Sequence, residues 1–166
     1  MRSGPCWQKV PSPPHDQQEL PRVIYLFLDF DGVLHPEGAP QRRLFERLHA
    51  VEEIMLAHPQ LRVVVSSTWR LRRSISELRQ LFDPRVAGQV IGRTPHLDDG
   101  QLFPRERECL QWLRSHADAW SAWVALDDRP WLFKPFCRQL IPVPWQGQGI
   151  EPEQLAELVA RIGSAA

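Results

Sequence analysis

The 166-residue sequence has no excess of either charge, few cysteines and no long apolar run. Its 20 Lys and Arg residues balance 20 Asp and Glu residues, so any attraction to nucleic acid or to an anionic membrane must be local. Three cysteines, odd in number and far apart, fit neither a disulfide framework nor a zinc site. Without an apolar segment of signal-peptide or membrane-spanning length, we expect a cytoplasmic protein with reduced thiols.

The sequence also lacks a glycine-rich loop after its first apolar stretch, which argues against dinucleotide-binding and P-loop proteins. Residues 1–21 are rich in proline, glutamine and serine and have no hydrophobic periodicity, which predicts a loosely ordered extension. The full sequence contains 43% hydrophobic residues, a composition typical of one globular domain. We therefore predict a single domain over residues 22–166.

Apolar strands and amphipathic helices alternate along this domain. Strands are predicted at 23–30, 61–68, 88–94, 121–128 and 139–144, and helices at 42–58, 74–82, 104–117 and 151–163. The first strand, "VIYLFLDF", is apolar throughout, as expected of a central parallel strand that is covered on both faces. The pattern predicts an α/β fold, a Rossmann-like three-layer α/β/α sandwich with a central parallel sheet.

Polar residues follow three of these strands, at the sheet edge where ligands bind in such folds. They are Asp29 and Asp31, then Ser66, Ser67 and Thr68, and finally Asp127 and Asp128. Close carboxylates remain ionised together most easily around a divalent cation, and oxygen ligands without nearby His or Cys favour Mg²⁺. One aspartate of such a group can attack phosphorus while a second transfers the proton.

These segments resemble motifs of the haloacid dehalogenase superfamily of phosphohydrolases. "LFLDFDGVL" is similar to motif I, "VVVSST" to motif II and "VALDD" to motif IV. The segments "SSTWR", "VIGRTP", "RERECLQWL" and "WVALDDRPWLF" most resemble the small domains of that superfamily that also occur in bacterial RNA-repair proteins. The resemblance implies a Mg²⁺-dependent phosphatase that works through an aspartyl-phosphate.

The resemblance also assigns roles to the residues after the first two motif strands. Asp29 is implied to be the nucleophile and a metal ligand, and Asp31 the general acid and base, which binds the metal through its backbone carbonyl. In motif II, Ser67 is favoured as the hydroxyl that holds a phosphoryl oxygen, because it lies two residues before Trp69, and Ser66 is the alternative.

The remaining site residues are implied by motifs III and IV. Asp128 is expected to complete the Mg²⁺ ligands, with Asp127 beside it. The candidates for the motif III cation are Arg105, Arg107 and Lys134. We favour Arg105 because of its position in "RERECLQWL".

A run of arginines follows motif II, on the same side of the predicted sheet as the acids. Its members are Arg70, Arg72, Arg73 and Arg79. They indicate either a phosphate-rich substrate, such as a nucleotide or a nucleic-acid end, or an ordinary solvated helix surface, the commoner case. We list Arg70 with Ser66 and Thr68 as predicted substrate-binding residues.

The intervals between the motifs are too short for a sizeable cap domain. An open site admits a bulky or polymeric phosphoester and excludes water poorly, which favours a phosphatase over a phosphomutase. The alternative function is a non-catalytic module that keeps the fold and binds a phosphorylated partner. Neither hypothesis requires a membrane or strong sequence-independent binding to nucleic acid.

Overall fold

The computed structural model describes residues 22–118 and 120–165. The predicted extension, residues 1–21, lies outside these described residues. Five parallel strands form one sheet in the order β3-β2-β1-β4-β5. The strands are β1 (Ile24–Leu28), β2 (Leu61–Val65), β3 (Val90–Arg93), β4 (Ala122–Asp127) and β5 (Leu140–Pro142).

Helices cover both faces of this sheet. They are α1 (Leu48–Ala57), α2 (Ile75–Arg79), α3 (Pro104–His116) and α4 (Pro152–Ala165). Helices α1, α2 and α4 pack into one apolar cluster, and α3 packs into a second cluster that is built around Phe27 and Trp112. The predicted three-layer sandwich is therefore confirmed, and within the described ranges no domain-sized insertion interrupts it.

The predicted helix over 42–58 is wrong in its first part. Only α1 is α-helical there, and it is preceded by a short 3₁₀ helix, Gln41–Arg43, and a turn. Phe45 has a φ of 61°, a left-handed conformation that interrupts the helix. Its backbone N–H donates to His35, and its ring packs edge-on against Phe30 and Trp69, so tertiary contacts override the helical periodicity.

The predicted strand over 61–68 is three residues too long. The strand ends at Val65, because Ser67 caps a 3₁₀ helix, Thr68–Leu71, by accepting a hydrogen bond from the Trp69 N–H at 3.4 Å. Helix α2 is shorter than its predicted span and begins with a reciprocal capping box between Ser74 and Glu77, which satisfies backbone donors at its first turn.

Two further findings bear on the expectations about cysteines and membranes. Cys109 and Cys137 are free thiols. None of the helices in the described part of the chain is both long and apolar enough to cross a bilayer.

Candidate active site

The register of the three central strands brings the motif residues to one level. Leu28 of β1 pairs with Val65 of β2 and with Leu126 of β4. The next residue of each strand is therefore Asp29, Ser66 or Asp127. Parallel strands end at the same edge of a sheet, so these polar residues meet at the centre of that edge.

Three carboxylates form the core of the site. Asp29, Asp127 and Asp128 each offer an oxygen within 4.8 Å of the others, and all three side chains are buried. Burial, with the negative charge of Asp29, raises the pKa of Asp127 to about 7 and that of Asp128 to about 6. The cluster thus carries more negative charge than its environment accommodates, as expected where a cation binds.

Asp128 has the strongest indication of a missing partner. Neither of its carboxylate oxygens has a hydrogen-bond partner within the described residues, although the side chain is fully buried. The partly exposed Arg129 provides a longer ion pair, with its Nε 3.9 Å from Asp128 Oδ1. Gly32 makes room for this carboxylate, because a Cβ atom at Gly32 would lie 2.1 Å from Asp128 Oδ2. Buried carboxylates without donors are rare, so an all-oxygen ligand set that includes Asp128 fits Mg²⁺.

Of the three candidates for the motif III cation, Arg105 contacts this cluster. Its Nη1 lies 2.9 Å from Asp127 Oδ2 and 3.4 Å from Asp29 Oδ2. Burial alone would lower the pKa of Arg105, but the charges of Asp29 and Asp127 raise it above its ordinary value. Of the other two candidates, Arg107 pairs with exposed Asp99, and Lys134 is exposed beside Glu106.

The Asp31 carboxylate lies apart from the three clustered acids and is held from two sides. Trp69 Nε1 donates to Oδ2 at 3.0 Å, and His35 Nε2 lies 3.1 Å from Oδ1. The hydrogen bond from His35, supported by that from Trp69, lowers the pKa of Asp31. The expected metal contact of Asp31 concerned its backbone carbonyl, and that contact stays a prediction.

The proton position on His35 follows from its other neighbour. The Phe45 N–H donates to Nδ1 of His35 at 3.2 Å, so the hydrogen of the neutral ring lies on Nε2 and is donated to Asp31. His35 is completely buried, and its ring packs edge-on against Phe45. The imidazole is therefore a fixed donor that holds one oxygen of Asp31 in place.

The motif II hydroxyls occupy different positions. Ser66 and Ser67 are both buried, whereas Thr68 is exposed. Ser66 lies next to Asp29 through the register of β1 and β2, and its N–H donates to Leu28 O at 3.0 Å. The Ser67 hydroxyl accepts from the Trp69 N–H. The assignment of Ser67 or Ser66 to a phosphoryl oxygen stays a prediction.

Arg70 is largely engaged within the protein. Its side chain is 3% exposed, and its guanidinium donates to Ser66 O, Thr94 O, Pro95 O and the Glu108 carboxylate. Burial lowers the pKa of Arg70, which Glu108 partly offsets. Arg70 thus ties the end of β2 to α3, and its assignment to substrate binding stays a prediction.

Sequence reasoning missed two residues that support the site. Glu108 accepts from Arg70 at 2.6 Å and lies 3.6 Å from Arg105 Nε, so it bridges two buried arginines. The sequence did contain a signal for Glu108, because it lies three residues after Arg105 in a helix whose buried residues also include Cys109 and Trp112. His35 offered no comparable signal, because its role depends on a partner 10 residues later in the chain.

Comparison with known proteins agrees with this architecture. The family model described as "HAD domain in Swiss Army Knife RNA repair proteins" matches residues 25–155, a span that includes every motif discussed above. No curated protein and no solved structure matches the chain significantly. HAD is the haloacid dehalogenase family of hydrolases, and the chain belongs to the family of HAD domains found in Swiss Army Knife RNA repair proteins.

Proposed function

We propose that the protein is a Mg²⁺-dependent phosphomonoesterase that forms an aspartyl-phosphate on Asp29. The observation that carries the proposal is the buried cluster of Asp29, Asp127 and Asp128, in which Arg105 contacts two members and Asp128 has no hydrogen-bond donor within the described residues. Membership of a hydrolase family supports it.

In the first step, one oxygen of Asp29 attacks phosphorus, a P–O bond forms, and the bond to the leaving oxygen breaks. Asp31 supplies the proton that the leaving oxygen needs. In the second step, Asp31 accepts a proton from water, the hydroxide attacks phosphorus, and Asp29 is released as a carboxylate. His35 and Trp69 hold Asp31 in one orientation through both steps.

Arg105, the metal and a serine hydroxyl have distinct tasks in this scheme. Arg105 orients Asp29 and Asp127, because it contacts both carboxylates inside the protein, and its charge partly offsets the raised pKa of Asp127. Asp29, Asp127, Asp128 and the Asp31 carbonyl would hold Mg²⁺, which would supply charge neutralisation of the phosphoryl oxygens. A hydroxyl of Ser67 or Ser66 would bind one phosphoryl oxygen.

The substrate class that we propose is a nucleotide or the terminal phosphate of a nucleic acid. The absence of a cap within residues 22–118 and 120–165 leaves the site accessible to large substrates. The family description also associates this domain with RNA-repair proteins. The net charge of zero predicts that such a substrate is recognised at its end and not along its length.

The test is phosphate release from p-nitrophenyl phosphate, nucleotides, sugar phosphates and 3′- or 5′-phosphorylated oligonucleotides, with Mg²⁺ or EDTA. We expect Asp29→Asn to reduce turnover by about 10³-fold or more, because it removes the nucleophile without changing the side-chain volume. Asp98→Asn is the matched control, since Asp98 is exposed in a loop.

Unchanged turnover in Asp29→Asn would contradict the aspartyl-phosphate mechanism. Activity that is equal in Mg²⁺ and EDTA would contradict the proposed metal. Tight binding of a phosphorylated ligand without metal-dependent hydrolysis of any substrate would favour the non-catalytic binding module instead.

A further inference from the structure

A cleft of about 690 Å³ opens beside the proposed proton donor. Its lining includes Asp31, Thr68, Trp69, Leu71, Arg72, Arg73 and Glu77. Most of these residues belong to the 3₁₀ helix after β2 and to the start of α2. The cleft therefore borders the active site on the side of Asp31, whereas the three clustered acids do not line it.

This side is where the leaving group of a phosphoester must lie. In a phosphoryl transfer the attacking and leaving oxygens are roughly in line on opposite sides of phosphorus. The leaving oxygen must also be within hydrogen-bond reach of its proton donor. If Asp29 attacks and Asp31 protonates, the group attached to the leaving oxygen extends past Asp31 into this cleft. The inference thus rests on the proposed function.

The cleft offers two cations for which the described residues provide no anionic partner. Arg72 and Arg73 are exposed, and neither side chain takes part in an ion pair or hydrogen bond within the part of the chain that the structure describes. The Arg73 guanidinium lies over the Trp69 ring, 5.0 Å from its centroid, a contact that orients the guanidinium.

The acidic residue of the cleft is already engaged. Glu77 accepts hydrogen bonds from the backbone N–H and the hydroxyl of Ser74, each at 2.7 Å. These bonds, the backbone bond first, lower the pKa of Glu77, and the nearby charge of Arg73 also contributes. Both bonds tie Oε2 of Glu77 to the cap of α2. Glu77 forms no ion pair with Arg72 or Arg73 within the described residues, so their guanidinium donors remain available to an anion that enters the cleft.

We propose that this cleft binds a second phosphate, carried by the leaving group of the substrate, through Arg72 and Arg73. The preferred substrate is then a phosphomonoester whose alcohol also bears a phosphate or phosphodiester. The exposed side chain of Leu71 provides apolar surface beside this subsite, which suits the sugar and base of a nucleotide.

The experiment compares kcat/KM for adenosine 3′-monophosphate, adenosine 5′-monophosphate and adenosine 3′,5′-bisphosphate, with p-nitrophenyl phosphate as the reference substrate. We expect the bisphosphate to exceed the better monophosphate by about tenfold at low salt. Arg72→Gln and Arg73→Gln should each lower this ratio by about two- to fivefold, the effect of an exposed ion pair. Arg114→Gln, an exposed arginine near the other end of the sheet, should retain the ratio of the wild type.

The outcomes separate this inference from the proposed function. Hydrolysis of p-nitrophenyl phosphate with equal kcat/KM for mono- and bisphosphate, or a ratio unaffected by Arg72→Gln and Arg73→Gln, would overturn the subsite and leave the phosphatase intact. If no substrate is hydrolysed, calorimetric binding of the bisphosphate to the same variants tests the subsite alone. Equal affinity of the wild type for mono- and bisphosphate would then refute it.

Discussion

The carboxylate of Asp128, which lacks hydrogen-bond donors within the described residues, leads to an unusual prediction about stability. In metal-free protein, Asp128→Asn should raise the free energy of unfolding, although it removes a residue of the active site. The ionised side chain is fully buried and is repelled by the charge of Asp29, which the charge of Arg129, 3.9 Å away, offsets only in part. An amide of nearly the same shape removes that charge without leaving a cavity.

The magnitude follows from the pKa. Burial and Asp29 raise the pKa of Asp128 from 3.8 to about 6, and two pKa units correspond to roughly 3 kcal/mol. Because relaxation of protein and solvent offsets part of this cost, we expect a gain of about 1 to 2 kcal/mol. For a protein of this size, that gain corresponds to an increase in Tm of about 2 to 8 °C.

The sign of the stability change caused by Asp128→Asn can be checked by varying pH. A carboxyl with a raised folded-state pKa destabilises the protein fully above that pKa, and the penalty disappears below the pKa of the unfolded state. The advantage of Asp128→Asn over the wild type should therefore be complete above about pH 6 and should fade towards about pH 4.

The assay is thermal unfolding in EDTA and in a Mg²⁺ titration. Mg²⁺ should stabilise the wild type, by about 2.7 kcal/mol at 100 times its Kd, and should stabilise Asp128→Asn much less, so that the order of the two proteins reverses. Asp98→Asn, which alters an exposed acid, controls for the loss of charge. A metal-free Asp128→Asn that unfolds at a lower temperature than the wild type would refute the reasoning.

Three further substitutions test other parts of the site. Gly32→Ala should lower Tm and abolish Mg²⁺-induced stabilisation, because its Cβ would meet the carboxylate of Asp128. Gly38→Ala is the control: Gly38 has a similar φ of 70°, and no atom lies within 4 Å of a Cβ there. This variant should only lower Tm slightly. Trp69→Phe keeps an aromatic ring but loses the indole N–H that orients the Asp31 carboxylate. Turnover of alkyl phosphates, which need a correctly placed proton donor, should therefore fall by about tenfold, and that of p-nitrophenyl phosphate by less. Arg105→Gln leaves two buried carboxylates without their cation and should cost about 3 kcal/mol in denaturant unfolding, whereas Arg107→Gln, at an exposed pair, should cost less than about 1 kcal/mol.

The sheet was predictable mainly because its central strands, β1 and β2, are largely buried on both faces. Segments rich in Val, Ile and Leu that alternate with predicted helices indicate buried parallel strands. All five predicted strands are present. The helix over 42–58 was not predictable beyond α1. Its sequence has helical periodicity throughout, and only the contacts of Phe45 with His35 and Trp69 reveal why the first turns do not form.

The positions of the acids were predictable, but their partners were not. A strand that ends in Asp29 or Asp127 fixes the backbone position of the side chain, since the edge of a parallel sheet is a defined place. The orientation of the side chain depends on residues distant in sequence. Trp69 is 38 residues from Asp31, and no local pattern indicates that its indole N–H donates to that carboxylate.

The charge balance of the buried network gives Arg70 a structural task and links it to the proposed metal. Arg70 and Arg105 both contact Glu108, and Arg105 contacts Asp29 and Asp127, with Asp128 beside them. Four buried acids face two buried arginines, which leaves two negative charges when all are ionised, and the partly exposed Arg129, 3.9 Å from Asp128, compensates them only in part. Buried charge requires compensation, and one divalent cation would supply it. Arg70 therefore serves the site by neutralising Glu108, so that the uncompensated charge is concentrated on the three carboxylates at the sheet edge.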